Sequence, residues 1–386
     1  MLKTEFINGP TNYCLLKGNI DGIDKKIHIF FDKHLDLNDQ TECESFDSVD
    51  ISYYLYRLIK QTNVNLDFFM EISTKQLDDK IISNKRDIYI QEVIKLFKTE
   101  FDLKKNNDSN IAHSNINSNV KLHYFDIRDH LDIYILTKII NQKIEKYFNY
   151  LNINITEKTI EKILYYVNQI NDKLELLVKN TKEVQTNLNS EYDKVNEKQK
   201  YHLHKILNQY QNEILKKKIN FFLDIHINGI ISSINYTQKN IEYILKNLDL
   251  TNINELKKNI DKLGEYILQL YTFYTDTYLL RRILDKNYVK NCIIYSGGSH
   301  CVNFIFFLVK YCNFNIIKIN YSKEKNINLL TNIINEKLYS YDIYELFLQK
   351  KIFIQCIHWE PIFENDFFSA NLKKKYLKYN KNNSKK

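Results

Sequence analysis

Between residues 136 and 285 apolar side chains recur at three- and four-residue steps, with almost no Gly or Pro to interrupt them. This block limits the fold more than any other feature. Ile160, Ile163, Leu164, Val167, Ile170, Leu174, Leu177 and Val178 keep the spacing over several turns, and Leu263, Tyr266, Ile267 and Leu270 repeat it. Such a stripe is the buried face of a helix. The spacing predicts a set of long helices, either packed as an insert or presenting a partner-binding arm.

On both sides of the block the pattern changes to short apolar runs separated by helix-like segments. Strands alternating with helices predict an α/β fold, with a mostly parallel central sheet flanked by helices and interrupted by a large all-helical insertion. The expected division is 1–135 and 286–370 as two parts of one α/β domain, 136–285 as the insertion, and 371–386 as a basic flexible tail. Residues 51, 54, 55, 58 and 59 mark one helix, Asp87–Phe97 a second and Val302–Cys312 a third. Asn106–Asn119 reads as a surface loop and Phe314–Ile319 as a late strand.

Four of the apolar runs end in a histidine or a carboxylate. Ile27–Phe31 leads into Asp32-Lys33-His34, Leu66–Met70 into Glu71, Leu122–Phe125 into Asp126-Ile127-Arg128, and Cys292–Tyr295 into Ser296-Gly297-Gly298-Ser299-His300. The carboxyl ends of neighbouring strands in an α/β sheet share one crevice, where ligands bind. His34, Glu71, Asp126 and His300 are therefore candidates to meet there. Gly297 and Gly298 allow a tight turn and close backbone approach, and His300 falls near a helix start whose N–H groups favour anions.

Mixed nitrogen and oxygen donors suit zinc, manganese or iron, so His34, Glu71 and His300 form a candidate set for a divalent metal. The same groups suit metal-free acid–base chemistry, because imidazole titrates near neutral pH. Arg128 has the fork that holds a carboxylate or phosphate through two parallel hydrogen bonds. On a helix, Tyr278 and Arg282 share one face, and Asp276 lies in the same segment. These read either as a surface ion pair with a buried Tyr or as groups reaching the crevice.

Bulk properties exclude several classes. The 386 residues carry a formal charge of +8, but the clearest basic cluster is the stretch from Lys373 to Lys386. Neither zinc-finger spacing nor an RNA-recognition aromatic motif is present, so no sequence-specific nucleic-acid partner is expected. No run approaches the ~18 apolar residues of a membrane span. Six scattered cysteines without a C-x-x-C pair argue against a zinc ribbon and against a disulfide-dense scaffold. The chain reads as intracellular and reduced, with a small molecule or peptide as its partner and no indication of oligomeric state. Cys43 and Cys301 are possible additions to the site, though free Cys is more often simply buried. The Ile, Asn, Lys and Tyr richness reads as an AT-rich genome rather than as function.

The strand-end pattern resembles the erythromycin-esterase-like superfamily, with its Tiki, TraB-type and ChaN-like members, and an uncharacterised branch from large DNA viruses. The corresponding residues are Asp32, His34, Glu71, Asp126, Arg128, Asp276, Tyr278, Arg282, Gly297 and His300, covering residues 25–135 and 270–320. The resemblance implies hydrolysis of an ester, amide or peptide bond. His34 and His300 would hold a metal or activate water, with Glu71 as base or ligand. Asp126 would orient a histidine and Arg128 bind substrate, alongside Asp32, Gly297, Gly298, Asp276, Tyr278 and Arg282. One departure stands out: Phe31 occupies the place where the family motif begins with Gly. A catalytically inactive binding or virion-associated protein of the same fold is the alternative.

Overall fold

A short strand, β1 (Phe6–Asn8), is followed by a long hairpin of β2 (Asn12–Ile20) and β3 (Ile23–Asp32). The hairpin reverses through Asp21 and Gly22 at φ of 52° and 79°. A two-residue loop needs two such left-handed positions, and an Asp-Gly pair accepts them. The computed structural model describes residues 6–33, 42–45, 48–72, 88–100, 104–105, 111–114, 116–128, 157–187, 189–193, 196–247, 252–348 and 354–358. Two units emerge, residues 1–126 with 286–386 and residues 127–285.

The first unit continues through β4 (Val49–Asp50), helix α1 (Ile51–Gln61), β5 (Leu66–Met70), helix α2 (Ile88–Glu100), β6 (Lys104–Lys105), β7 (Ile111–His113) and β8 (Val120–Tyr124). The second unit holds α3 (Glu157–Thr186), α4 (Lys198–Leu207), α5 (Glu213–Lys246) and α6 (Ile253–Leu284). The chain then re-enters the first unit as β9 (Asn291–Gly297), α7 (Gly298–Cys312), β10 (Asn315–Ile319), α8 (Ile327–Glu336), a 3-10 turn at Ser340–Ile343, α9 (Tyr344–Phe347) and β11 (Cys356–His358).

The main sheet has the order β10-β2-β3-β9-β5-β8-β7-β6. Its inner four strands, β3, β9, β5 and β8, run parallel. Both flanks are antiparallel: β10 with β2 and β2 with β3 on one side, β8 with β7 and β7 with β6 on the other. The sheet is therefore mixed rather than mostly parallel. The correction follows from the Asp21-Gly22 loop, and from Ile111–His113, which adds a strand inside a stretch expected to be loop. A separate three-stranded sheet joins β11, β1 and β4.

Side chains alternate across each strand, so the sheet has two distinct faces. On one, Tyr13, Leu15, Phe30, Leu66, Phe68, Met70, Leu122, Tyr124, Ile293 and Tyr295 form a core with α1 and α2. Helix α1 contributes Ile51, Tyr54, Leu55, Leu58 and Ile59, spaced to one side as the sequence predicts. Burial of each such aliphatic chain stabilises by about 1.5–3 kcal/mol before entropy is counted. Helix α7 packs against β2, β3 and β9.

In the helical unit α5 lies along α6, and α4 contacts α3 and α6. Asp285 accepts N–H bonds from Gln211 and Asn212 at 2.7 and 3.0 Å, and Asn212 in turn caps α5 through the Leu215 N–H. Among the described residues no helix is long and apolar enough to cross a membrane.

Candidate functional site

The parallel register between β5 and β9 sets Met70 beside Tyr295, so the next residue, Glu71, falls beside Ser296. Its backbone N–H donates to the Tyr295 carbonyl at 3.3 Å. The carboxylate then reaches across the end of β9. Oε2 accepts the Ser296 hydroxyl at 2.9 Å and the Gly297 N–H at 2.8 Å, and Oε1 lies 3.1 Å from His300 Nε2. Glu71 is 7 % exposed and His300 5 %. Donors on three sides suit an ionised carboxylate, and the start of a helix stabilises negative charge further.

His300 stands in the first turn of α7, which begins at Gly298 rather than at Val302. Phe125 meets its ring edge-on at 6.2 Å, and Phe304, four residues along the helix, lies over it at 6.3 Å. Cys301 is buried, with its thiol near the carbonyls of Ser296 and Phe30 at 3.3 and 3.6 Å.

The two glycines do other work than expected. Neither takes a positive φ. A Cβ on Gly298 would lie 2.7 Å from Leu348 Cδ2, the end of a side chain that would have to turn aside. The Gly297 N–H, the anion-seeking group of the helix start, is already satisfied by Glu71. Phe31, level with Ser296 in the ladder, is fully buried and comes within 3.9 Å of the same Gly298 position.

Asp32 does not join Glu71 and His300. It continues the Phe30 side of β3, where it accepts the Tyr295 hydroxyl at 3.1 Å on the α1/α2 face. Burial, then the Asp32 charge, holds the Tyr295 phenol well above its ordinary range. Asp126 follows β8, and its N–H donates to the Ile72 carbonyl, which aligns the chain after β8 with the chain after β5. His34 lies outside the described residues, as do the lysine-rich end and Trp359. Arg128, Asp276, Tyr278 and Arg282 belong to the second unit. There Arg282 Nη1 donates to the Tyr278 hydroxyl at 3.2 Å, and the Arg281 and Arg282 guanidinium groups both lie over the Tyr278 ring. Asp276 is fully buried in α6.

A zinc-type centre takes at least three protein donors. The described residues bring two together, Glu71 and His300, and among the described residues no group of three or more His, Cys, Asp or Glu could hold a metal ion. Cys43 does not approach the site: it is bonded to Cys356.

A second His–carboxylate pair, absent from the strand-end pattern, lies between β5 and β8. His123 Nε2 and Asp67 Oδ1 are 2.7 Å apart, with side chains 1 % and 3 % exposed. His123 also stacks on Phe69 at 4.3 Å. Both residues interrupt apolar strands at the two-residue period, and that was the available signal. Ser296, a partner of Glu71, was visible in the glycine-turn motif but not singled out.

The profile of a family of unknown function (DUF5847) matches residues 5–255 and 243–367. Uncharacterized protein R706 of Acanthamoeba polyphaga mimivirus is 30 % identical over 92 % of this chain and 95 % of its own. R161 of the same virus is 29 % identical over 86 % of this chain and 92 % of its own, and R160 is 26 % identical over 93 % and 94 %. No solved structure matches. The chain belongs to the DUF5847 family, and these relatives agree with the expected origin in a large DNA virus.

Proposed function

We propose that the chain is a hydrolase of ester, amide or peptide bonds whose acid–base centre is the Glu71–His300 pair. The observation that carries this reading is the 3.1 Å contact between Glu71 and His300 at the carboxyl ends of parallel strands. Ser296 and the Gly297 N–H fix Glu71, and Glu71 holds the His300 ring by Nε2. His300 is then the residue that takes the proton from the attacking water and returns it to the leaving group. Asp126 would support the pair, which would act on a small-molecule or peptide substrate. The reaction class follows from the strand-end pattern, Glu71 after β5 and His300 after β9, which resembles that of the erythromycin-esterase-like superfamily. A divalent metal enters this reading only if His34 adds a third donor to Glu71 and His300.

The test is a panel of ester, amide and peptide substrates given to the full chain, with His300→Asn and Glu71→Gln beside it. General acid–base catalysis predicts a loss of about 10²–10⁴-fold in His300→Asn. Metal content of the wild type, His34→Ala and His300→Ala separates the two versions of the mechanism. Turnover that is equal in wild type and His300→Asn sinks the proposal.

A second reading has the chain as a non-catalytic viral binding or virion-associated protein. Two observations favour it: Leu348 crowds the Gly298 position with Phe31 beside it, and both Glu71 oxygens are engaged by the protein's own groups. The Cys43–Cys356 disulfide also suits a virion better than a reducing cytoplasm.

A further inference from the structure

Cys43 and Cys356 are 313 residues apart in sequence, yet one residue, Asn8, places both. Its backbone pairs with Cys356 where β1 meets β11, and its side-chain Oδ1 accepts the Cys43 N–H at 2.9 Å. Its amide donates to Asp50 Oδ1 at 3.1 Å and to Ser48 Oγ at 3.3 Å, which keeps the side chain in that orientation. The cysteines are thus positioned by hydrogen bonds that involve neither sulfur.

Among the described residues strand β11 is held by a short ladder, by Ile357 in the core and by side-chain contacts of Gln355 and His358. It pairs with β1 over three residues, Phe6↔His358, Ile7↔Ile357 and Asn8↔Cys356. Gly9 N–H donates to the Gln355 carbonyl, and Asn320 Nδ2 donates to the His358 carbonyl at 2.7 Å. A three-residue edge ladder is marginal by itself. Both bonded cysteines are only half-buried, within reach of a thiol, whereas Cys14, Cys292, Cys301 and Cys312 are buried and free.

We propose that Cys43–Cys356 is a redox-controlled latch that fastens strand β11 to β1 and opens when a dithiol reductant reaches it. One thiolate of the dithiol attacks a latch sulfur and forms a mixed disulfide. The second thiolate displaces the remaining cysteine. The protein gains two electrons and two protons as two thiols, and the dithiol leaves as a disulfide. The order is reversed by a disulfide oxidant.

The experiment uses the full chain, first alkylated without reductant and mapped by mass spectrometry. The expected result is a linked Cys43–Cys356 peptide, with Cys14, Cys292, Cys301 and Cys312 recovered as thiols. Hydrogen exchange is then compared before and after dithiothreitol. Amides of 354–358 and 6–8 should exchange at least ten-fold faster after reduction, while β3, β5 and β9 keep their protection. Cys43→Ser with Cys356→Ser should show the fast rate with or without dithiothreitol. If that variant does not fold, the wild-type comparison still decides. Free thiols at 43 and 356 after treatment with oxidised glutathione overturn the latch. So does an unchanged rate at 354–358, or a rise that spreads to β3, β5 and β9.

Discussion

Asp67 and His123 meet at 2.7 Å between β5 and β8, both almost fully buried, with Phe69 stacked on the imidazole. Taking two ionisable groups out of water is costly, and a buried pair returns that cost only while both partners stay. Asp67→Asn or His123→Leu alone should destabilise the first unit by about 3–5 kcal/mol. The double replacement Asp67→Leu with His123→Leu should recover most of that loss. Urea midpoints of the three variants give the comparison; a double variant as unstable as the sum of the singles contradicts it.

Glu71 is tied to three groups, so Glu71→Gln should reach beyond any effect on turnover. The amide must turn its NH2 toward one of the former donors, and the expected cost is about 2–4 kcal/mol. Ser296→Ala removes one donor and leaves the carboxylate with the other two, so about 1 kcal/mol is expected. Equal losses in the two variants would mean that Glu71 is not the hub of this cluster.

Gly18 sits under the Phe314 ring, and a Cβ there would lie 2.4 Å from it. Phe314 is buried and has little room to yield. Gly18→Ala should cost about 1–3 kcal/mol by overpacking, and Phe314→Leu in the same chain should relieve part of it. Thermal denaturation of both variants tests the pairing.

Lys33, at the end of β3, has its ammonium pushed down from 10.5 to about 8 by burial. Between those values the unfolded chain binds more protons than the folded one, so stability rises with pH across that window. Below about pH 8 both states are charged and the penalty is fully present. Lys33→Met should flatten the rise between pH 8 and 10, measured as urea midpoints at each pH. A wild type and variant with parallel profiles would refute the assignment.

Much of the sheet was readable because its inner strands are buried and largely apolar, with single polar residues such as Asp67 and His123 between the apolar ones. Leu66–Met70 and Cys292–Tyr295 announced themselves in this way, and the long helices did so through their period. The flanking hairpin has its signal in Asp21-Gly22, but Asn12–Ile20 ends in no histidine or carboxylate and so stands outside the strand-end pattern. Of the candidate site, Glu71 and His300 were legible as strand-end groups that then met. Asp32 was not placed, since a single residue step decides which face of a strand a side chain takes. The Cys43–Cys356 bond joins segments 313 residues apart and has no local sequence signal.

The parallel neighbour of β3 is β9, and Asp32 is 263 residues from the tyrosine that bonds to it. During synthesis at about 5–20 residues per second, the open edge of β3 waits roughly 10 to 50 seconds for that neighbour. The helices of residues 157–284 emerge within this interval, before the central sheet can be completed. A chain stalled or cut before residue 291 therefore presents an unpaired apolar edge, the form most exposed to chaperones and to self-association.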